Sequence, residues 1–317
     1  MEELLRTEHL TKYFDTPAGV VHAVEDVSLS INRGETLGVV GESGCGKSTF
    51  GRTLLRLIPA TSGKVLFEGN DILTYSPAQF KKIRRDMQII FQDPYASLDP
   101  RRTVSEIIAE PLRVAKECKS SAELEERVDE IMDVVGIARR IANAYPHELD
   151  GGRRQRVGIA RALVLNPKFI VCDEPVSALD VSIQAQILNL LMDIQQERGL
   201  SYLFVTHDLS VVKHISNNIA VMYLGMLAEK ASSDEMFENP LHPYTKALLA
   251  AIPTPDISSR GKKRTLIRGE VSSPINPKPG CRFAARCEYA TEACFRDTPE
   301  LREVKENHFV ACHHVAE

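Results

Sequence analysis

The stretch Leu37–Phe50 constrains this chain more than any other. It reads Leu-Gly-Val-Val-Gly-Glu-Ser-Gly-Cys-Gly-Lys-Ser-Thr-Phe. The apolar run Leu37–Val40 predicts a buried strand. Gly41–Thr49 then matches the phosphate-binding pattern G-x-x-x-x-G-K-[ST], with Gly41, Gly46, Lys47 and Ser48 at the fixed positions. A backbone that folds tightly round a phosphate needs residues without a Cβ. Its N–H groups then form a nest for anionic oxygens. Phe50, Leu54, Leu55 and Leu57 continue at helical spacing, so a helix is expected to begin inside the motif, its N-terminal dipole towards the phosphate. Lys47 is expected to reach the β and γ phosphates and Ser48 to ligate magnesium. A strand before the motif and a helix after it argue against a chance glycine-rich turn.

The bulk properties set outer limits. A chain of 317 residues is about two domains' worth. The formal net charge of −4 offers nothing global to draw nucleic acid or anionic lipid, and the basic run Lys81-Lys82-Ile83-Arg84-Arg85 reads as a solvated face. No apolar run approaches the ~18 residues of a membrane span, and the acidic start Met1-Glu2-Glu3 carries no signal-peptide core. A reducing, cytosolic setting is therefore expected, in which the seven cysteines stay out of disulfides.

Around the phosphate loop the chain alternates strand and helix signals. Val24–Ile31 alternates apolar and polar residues as a half-buried strand does. The adjacent aromatics Tyr13 and Phe14 end an earlier strand, where one of them could stack on a nucleobase or simply fill core. Lys64–Gly69 and Met87–Gln92 read as further strands, the second delivering Gln92 to a strand end where it can reach a metal or a water. Apolar residues at helical spacing between 103 and 165 predict a helical insert. Lys168–Cys172 is a hydrophobic strand closing on two carboxylates, Asp173 and Glu174. In phosphate-loop ATPases such a pair assists magnesium and polarises water. Asp180 is placed to cap a helix. The run Leu200–Val205 ends in Thr206-His207-Asp208, and a histidine just past a strand's carboxyl end sits where α/β folds place ligands. A polar, basic stretch at 258–264 reads as a linker.

The ordered set Gly41–Thr49, Gln92, Gly151-Gly152, Asp173-Glu174, Ser177–Asp180 and His207 resembles a complete ATP-binding-cassette ATPase over residues 4–235. Pro94-Tyr95-Ala96-Ser97-Leu98-Asp99-Pro100, Asp208-Leu209-Ser210-Val211-Val212, Asn239-Pro240-Leu241-His242-Pro243-Tyr244-Thr245 and the cysteine-bearing tail narrow the resemblance to the ATPase subunits of oligopeptide/dipeptide importers. The resemblance implies an α/β fold: a phosphate-loop (RecA-like) ATPase core with an antiparallel β subdomain over 1–92 and 161–235, an α-helical signature subdomain over 93–160, and a small cysteine-rich extension over 236–317. It implies ATP and magnesium as ligands. Gly41, Glu42, Ser43, Gly44, Cys45, Gly46, Lys47, Ser48 and Thr49 would cradle the phosphates, and Phe14 or Tyr13 would stack on adenine. Ser48 and Asp173 would hold the metal, sensed by Gln92. Glu174 would be the general base and His207 the γ-phosphate contact. Asp180 would touch a dimer partner, and Asp150, Gly151, Gly152 and Arg153 would serve the partner's nucleotide in trans.

The same resemblance implies a second related ATPase, two membrane-spanning permeases, an external peptide-binding protein and a place on the cytoplasmic face of the membrane, with no nucleic acid involved. The competing classes are a non-transport cassette ATPase, acting in DNA repair or on ribosomes, and an importer of nickel or oligosaccharides. A repair member would carry a long coiled coil between phosphate loop and signature, and no sustained heptads occur there. One position departs from the family: its usual Leu-Ser-Gly-Gly-Gln reads Leu149-Asp150-Gly151-Gly152-Arg153.

Cys281, Cys287, Cys294 and Cys312 are spaced C-x5-C-x6-C-x17-C. Thiolates select zinc or iron–sulfur clusters. Zinc sites favour closer C-x2–4-C pairs, whereas four thiolates suit a 4Fe–4S cube. The family resemblance points the same way. Zinc, with His308, His313 and His314 as alternative ligands, and free thiols remain the other readings. The tail carries few large apolar residues and is expected to bury little core, so that a metal centre would supply its folding energy.

Overall fold

The computed structural model describes residues 2–252, 269 and 272–315; the basic stretch at 258–264 lies outside them. The chain divides into two compact units. One is built from Glu3–Ile31, Thr36–Leu73 and Phe204–Glu317, the other from Met1–Glu2, Asn32–Glu35 and Thr74–Leu203.

The first unit carries two sheets. Glu3–Thr16 and Gly19–Val27 form an antiparallel hairpin, and Ser62–Phe67 pairs antiparallel along the other edge of the first strand. In the second sheet Thr36–Val40 runs parallel to Asn218–Tyr223, which pairs antiparallel with Met226–Ser232. All five residues of Thr36–Val40 are buried. This explains why the sequence there is continuously apolar rather than alternating. The strand feeds the loop from which the helix Lys47–Leu54 starts. That helix is shorter than the apolar spacing implies. It ends before Leu57, which lies half exposed.

The other unit is mainly helical. Val104–Ala115 opens with a reciprocal cap: the Thr103 side chain accepts from the Glu106 N–H and the Glu106 carboxylate accepts from the Thr103 N–H. It buries Val104, Ile107, Ile108 and Leu112, the positions that carried the helical period. Ser121–Val134 and Gly151–Leu163 pack with it, and Val181–Arg198 follows. Two strands, Met87–Ile90 and Phe169–Asp173, pair in parallel, so the acidic strand end lies beside the residues that lead to Gln92.

The tail differs from its expectation. His308–Val310 adds to the edge of Met226–Ser232, and Arg302–Lys305 adds to it in turn. Phe283, Ala284, Cys294, Val310, Ala311 and Cys312 are all buried. At the join, Glu229 is fully buried and paired with the buried His308, Nε2 to Oε1 2.7 Å. The same carboxylate accepts the N–H groups of Leu241 (2.7 Å) and His242 (3.0 Å). Sheet extension and the buried Glu229–His308 contact therefore hold the tail. Contrary to the expectation, the tail buries apolar residues of its own against the sheet edge.

Candidate functional site: a phosphate loop and an acidic strand end

The phosphate loop takes the shape its glycines permit. Gly41 and Gly46 sit at φ +155° and +103°. A Cβ at Gly41 would lie 2.2 Å from the Met222 carbonyl oxygen, and one at Gly46 2.0 Å from that of Ala23. No side chain caps the helix Lys47–Leu54, so its first N–H groups stay available to an anion. Lys47 is buried and donates to the carbonyls of Gly41 (2.8 Å) and Glu42 (2.9 Å). The ammonium is thus parked on its own loop, from which a phosphate can draw it. Ser48 and Thr49 are half-buried in the first helical turn, Ser43 and Gly44 are exposed, and Cys45 is buried under the loop with its thiol pKa raised chiefly by that burial.

Tyr13 and Phe14 sit opposite His22 and Val21 across the hairpin and leave the strand on opposite faces. Tyr13 stacks on His22 with ring centroids 4.0 Å apart, while Phe14 is half-buried under the Lys12 ammonium. Glu25 ties this group together, accepting from the Tyr13 hydroxyl (3.2 Å) and lying 3.0 Å from His22 Nδ1. His207 follows the fully buried strand Ser201–Thr206 and is exposed.

In the helical unit Asp173 is fully buried at the end of its strand. Glu174 follows at φ +48°, a left-handed backbone uncommon outside glycine. The turn is fixed by Ser177, whose hydroxyl donates to the Glu174 carbonyl at 3.1 Å. Gln92 donates from Nε2 to Glu174 Oε2 at 3.0 Å. The structure therefore links Gln92 to the second carboxylate. Asp180 caps Val181–Arg198, accepting from the Ile183 N–H at 3.0 Å. Asp150 caps the signature helix Gly151–Leu163 in the same way, accepting from Arg153 N–H at 2.8 Å, with the Arg153 guanidinium 3.4 Å from its other oxygen. Gly152 lets that helix approach its neighbour: a Cβ there would lie 2.7 Å from Ile183 Cγ2.

Residues 24–177 match the family model for the ABC transporter ATPase, and residues 228–294 match that for the C-terminal region of oligopeptide/dipeptide transporters. The oligopeptide transport ATP-binding protein OppF of Salmonella typhimurium is 53% identical over 302 residues, 95% of this chain and 90% of its own length. The chain belongs to the ATP-binding subunits of oligopeptide ABC transporters. AppF of Bacillus subtilis, another oligopeptide transport ATP-binding protein, is 49% identical over 98% of this chain and 97% of its own. The cassette MJ0796, solved as a dimer bound to ADP and Pi, superposes with a TM-score of 0.66 at 31% identity, covering 73% of this chain and 99% of that one. The subunit is therefore an ATPase with a phosphate-loop α/β core.

The tail of this transporter subunit gathers Cys281, Cys287, Cys294 and Cys312 on one small cavity, together with His242, His313 and His314. All four thiols are free. Burial pushes the Cys281 thiol up to about 11 and also raises that of Cys287, with the neighbouring thiols adding to it. Among the described residues no group of three or more His, Cys, Asp or Glu is arranged to hold a single metal ion. What the fold provides is convergence of the four thiols rather than a finished ligand set.

Sequence reasoning missed two side chains on the phosphate loop, Tyr244 and Arg286, the second bonded in turn to Tyr223. Tyr244 Oη accepts the Glu42 N–H at 2.9 Å, and Arg286 donates to both Glu42 carboxylate oxygens at 2.7 and 3.1 Å. They lie 202 and 244 residues from Glu42, so no local spacing rule could find them.

Proposed function

We propose that this subunit hydrolyses ATP to drive import of di- and oligopeptides. The match of residues 228–294 to the oligopeptide/dipeptide C-terminal region carries that reading, and it favours peptides over nickel or oligosaccharide and over the non-transport cassettes. The loop Gly41–Thr49 binds the phosphates through its N–H nest and Lys47, with the adenine stacked on Phe14 or Tyr13. The donor set suits magnesium: a Ser48 hydroxyl and the Asp173 carboxylate are the hard oxygen ligands that ion takes. When bound, magnesium supplies charge neutralisation at the phosphate oxygens. Glu174 accepts the proton of the attacking water, and Gln92, bonded to it at 3.0 Å, orients the carboxylate. His207 contacts the γ phosphate. Asp150–Arg153 serve the nucleotide of a second, related ATPase, with Asp180 at the contact. ATP binding closes that dimer and hydrolysis reopens it. Two permeases and an external peptide-binding protein complete the importer. No helix among the described residues is long and apolar enough to cross a membrane, consistent with peripheral docking of the subunit on those permeases at the cytoplasmic face. The 1–92 and 161–235 core, the 93–160 insert and the 236–317 extension are its working parts.

The four converging thiols are, in the same reading, the ligands of a 4Fe–4S cluster. Four sulfurs lining one cavity outside the ATP motifs suit such a cluster, as they would a four-cysteine zinc site, and a centre there is structural or regulatory.

The reading is tested in vesicles that carry the assembled transporter and its binding protein. Labelled oligopeptide accumulates with ATP, and Lys47→Ala reduces uptake at least tenfold by weakening nucleotide binding. ATP-independent uptake, or full uptake by the variant, contradicts it.

A further inference from the structure

Two arginines of the tail, Arg282 and Arg286, reach Glu25 and Glu42 respectively. Arg286 grips Glu42, the second residue of the phosphate loop, with a two-pronged ion pair. Its side chain is only 7% exposed and that of Glu42 25%. The Glu42 peptide is then held from three sides: its N–H by Tyr244, its carbonyl by Lys47 and its carboxylate by Arg286. Arg286 also donates to the Tyr223 hydroxyl at 3.2 Å. Tyr223 meets Tyr244 and Phe283 edge to face, and Tyr244 and Phe283 lie tilted to one another, with centroids 4.7–5.3 Å apart. Hydrogen bonding to Glu42, ahead of any other cause, raises the guanidinium pKa. Arg282, on the other side of Phe283, donates to the Leu224 carbonyl and pairs with Glu25. Glu25 is the carboxylate that holds Tyr13 and His22.

The charges explain why such ties matter. A bare carboxylate in the phosphate loop would repel the triphosphate, in a half-buried setting where screening is weak. Paired with Arg286 it presents no net charge, and the loop backbone is fixed in the open shape of the nest. The tail thus contributes both a charge correction and a brace.

We propose that Arg286, seconded by Arg282, is a positioning residue for nucleotide, through which the cysteine-bearing tail sets the affinity of the phosphate loop for ATP. This rests on the reading of Gly41–Thr49 as the phosphate loop.

The test is a charge cycle on the full chain, read by titration with ATP–magnesium and by melting temperature. Arg286→Gln leaves Glu42 unpaired and is expected to raise the Kd for ATP at least tenfold, an effect that shrinks in high salt. Glu42→Gln alone leaves the Arg286 charge unopposed beside the loop and is expected to lower the Kd for ATP. The double variant Glu42→Gln/Arg286→Gln is expected to return to within about threefold of the parent, because neither charge is left over. A simple loss of packing would not be repaired by the second substitution. Arg286→Lys, which keeps the charge and one bond, falls between, and serves if Arg286→Gln melts early. The proposal is overturned by a Kd unchanged in Arg286→Gln, or by a double variant as weak as Arg286→Gln. Lys47→Ala in the same titration separates the two failures: if it too binds normally, the loop itself has been misread.

Discussion

Asp150 stands where its family usually has serine, and the structure shows what the exchange keeps. Its carboxylate caps the signature helix as a serine hydroxyl would, and Arg153 sits against it. Asp and Ser are comparable caps, so the helix is indifferent to the change. The partner's γ phosphate is not. A carboxylate ~4 Å from it would cost up to about 4 kcal/mol at an effective dielectric of 20. Arg153 and the exposure of both side chains, 60% and 56%, reduce that to the range of a surface charge contact, roughly 0.5–1 kcal/mol. Asp150→Ser is accordingly expected to raise ATPase activity of the assembled complex about two- to fivefold, with no change in melting temperature. Steady-state phosphate release checks it, and an unchanged or lower rate shows that Asp150 is tolerated or useful. The backbone shape of the phosphate loop was legible where chemistry fixes spacing, as at Gly41 and Gly46. The bond from Gln92 to Glu174 was not, because it joins residues 82 apart.

At the level of elements, the sequence announced what period and punctuation can announce. The buried strands Thr36–Val40 and Phe169–Asp173 read as unbroken apolar runs, and the helix Val104–Ala115 as a clean stripe. The tail was read too simply. Its apolar residues are few and scattered, yet they are buried because His308–Val310 borrows the edge of an existing sheet, and pairing to a distant strand leaves no periodic trace. That leaves the thiol cavity as a separate question. Anaerobically purified protein is expected to be brown, with broad absorbance near ~400 nm and about four irons per chain, as a four-thiolate cube requires. Colourless protein with one zinc per chain would assign the cavity to zinc, and no metal would leave the thiols free. Replacing any one of the four cysteines with serine is expected to bleach the colour and expose the tail to protease. His308 and Glu229, buried and paired, should keep the hairpin folded.

Across the whole molecule, the same order of motifs that marks the family also dictates the division of labour. Phosphate loop and tail share one compact unit, while the two carboxylates and the signature belong to the other. The proposed step is a proton transfer from the attacking water to Glu174. It is tested most directly by Glu174→Gln in the assembled transporter, with ATP–magnesium binding and single-turnover phosphate release measured on the same sample. A general base contributes about 10²–10⁴ in rate, and the amide cannot take the proton. The account predicts binding within about threefold of the parent and phosphate release slowed at least a hundredfold. Near-normal release with intact binding would contradict it and remove Glu174 from its role.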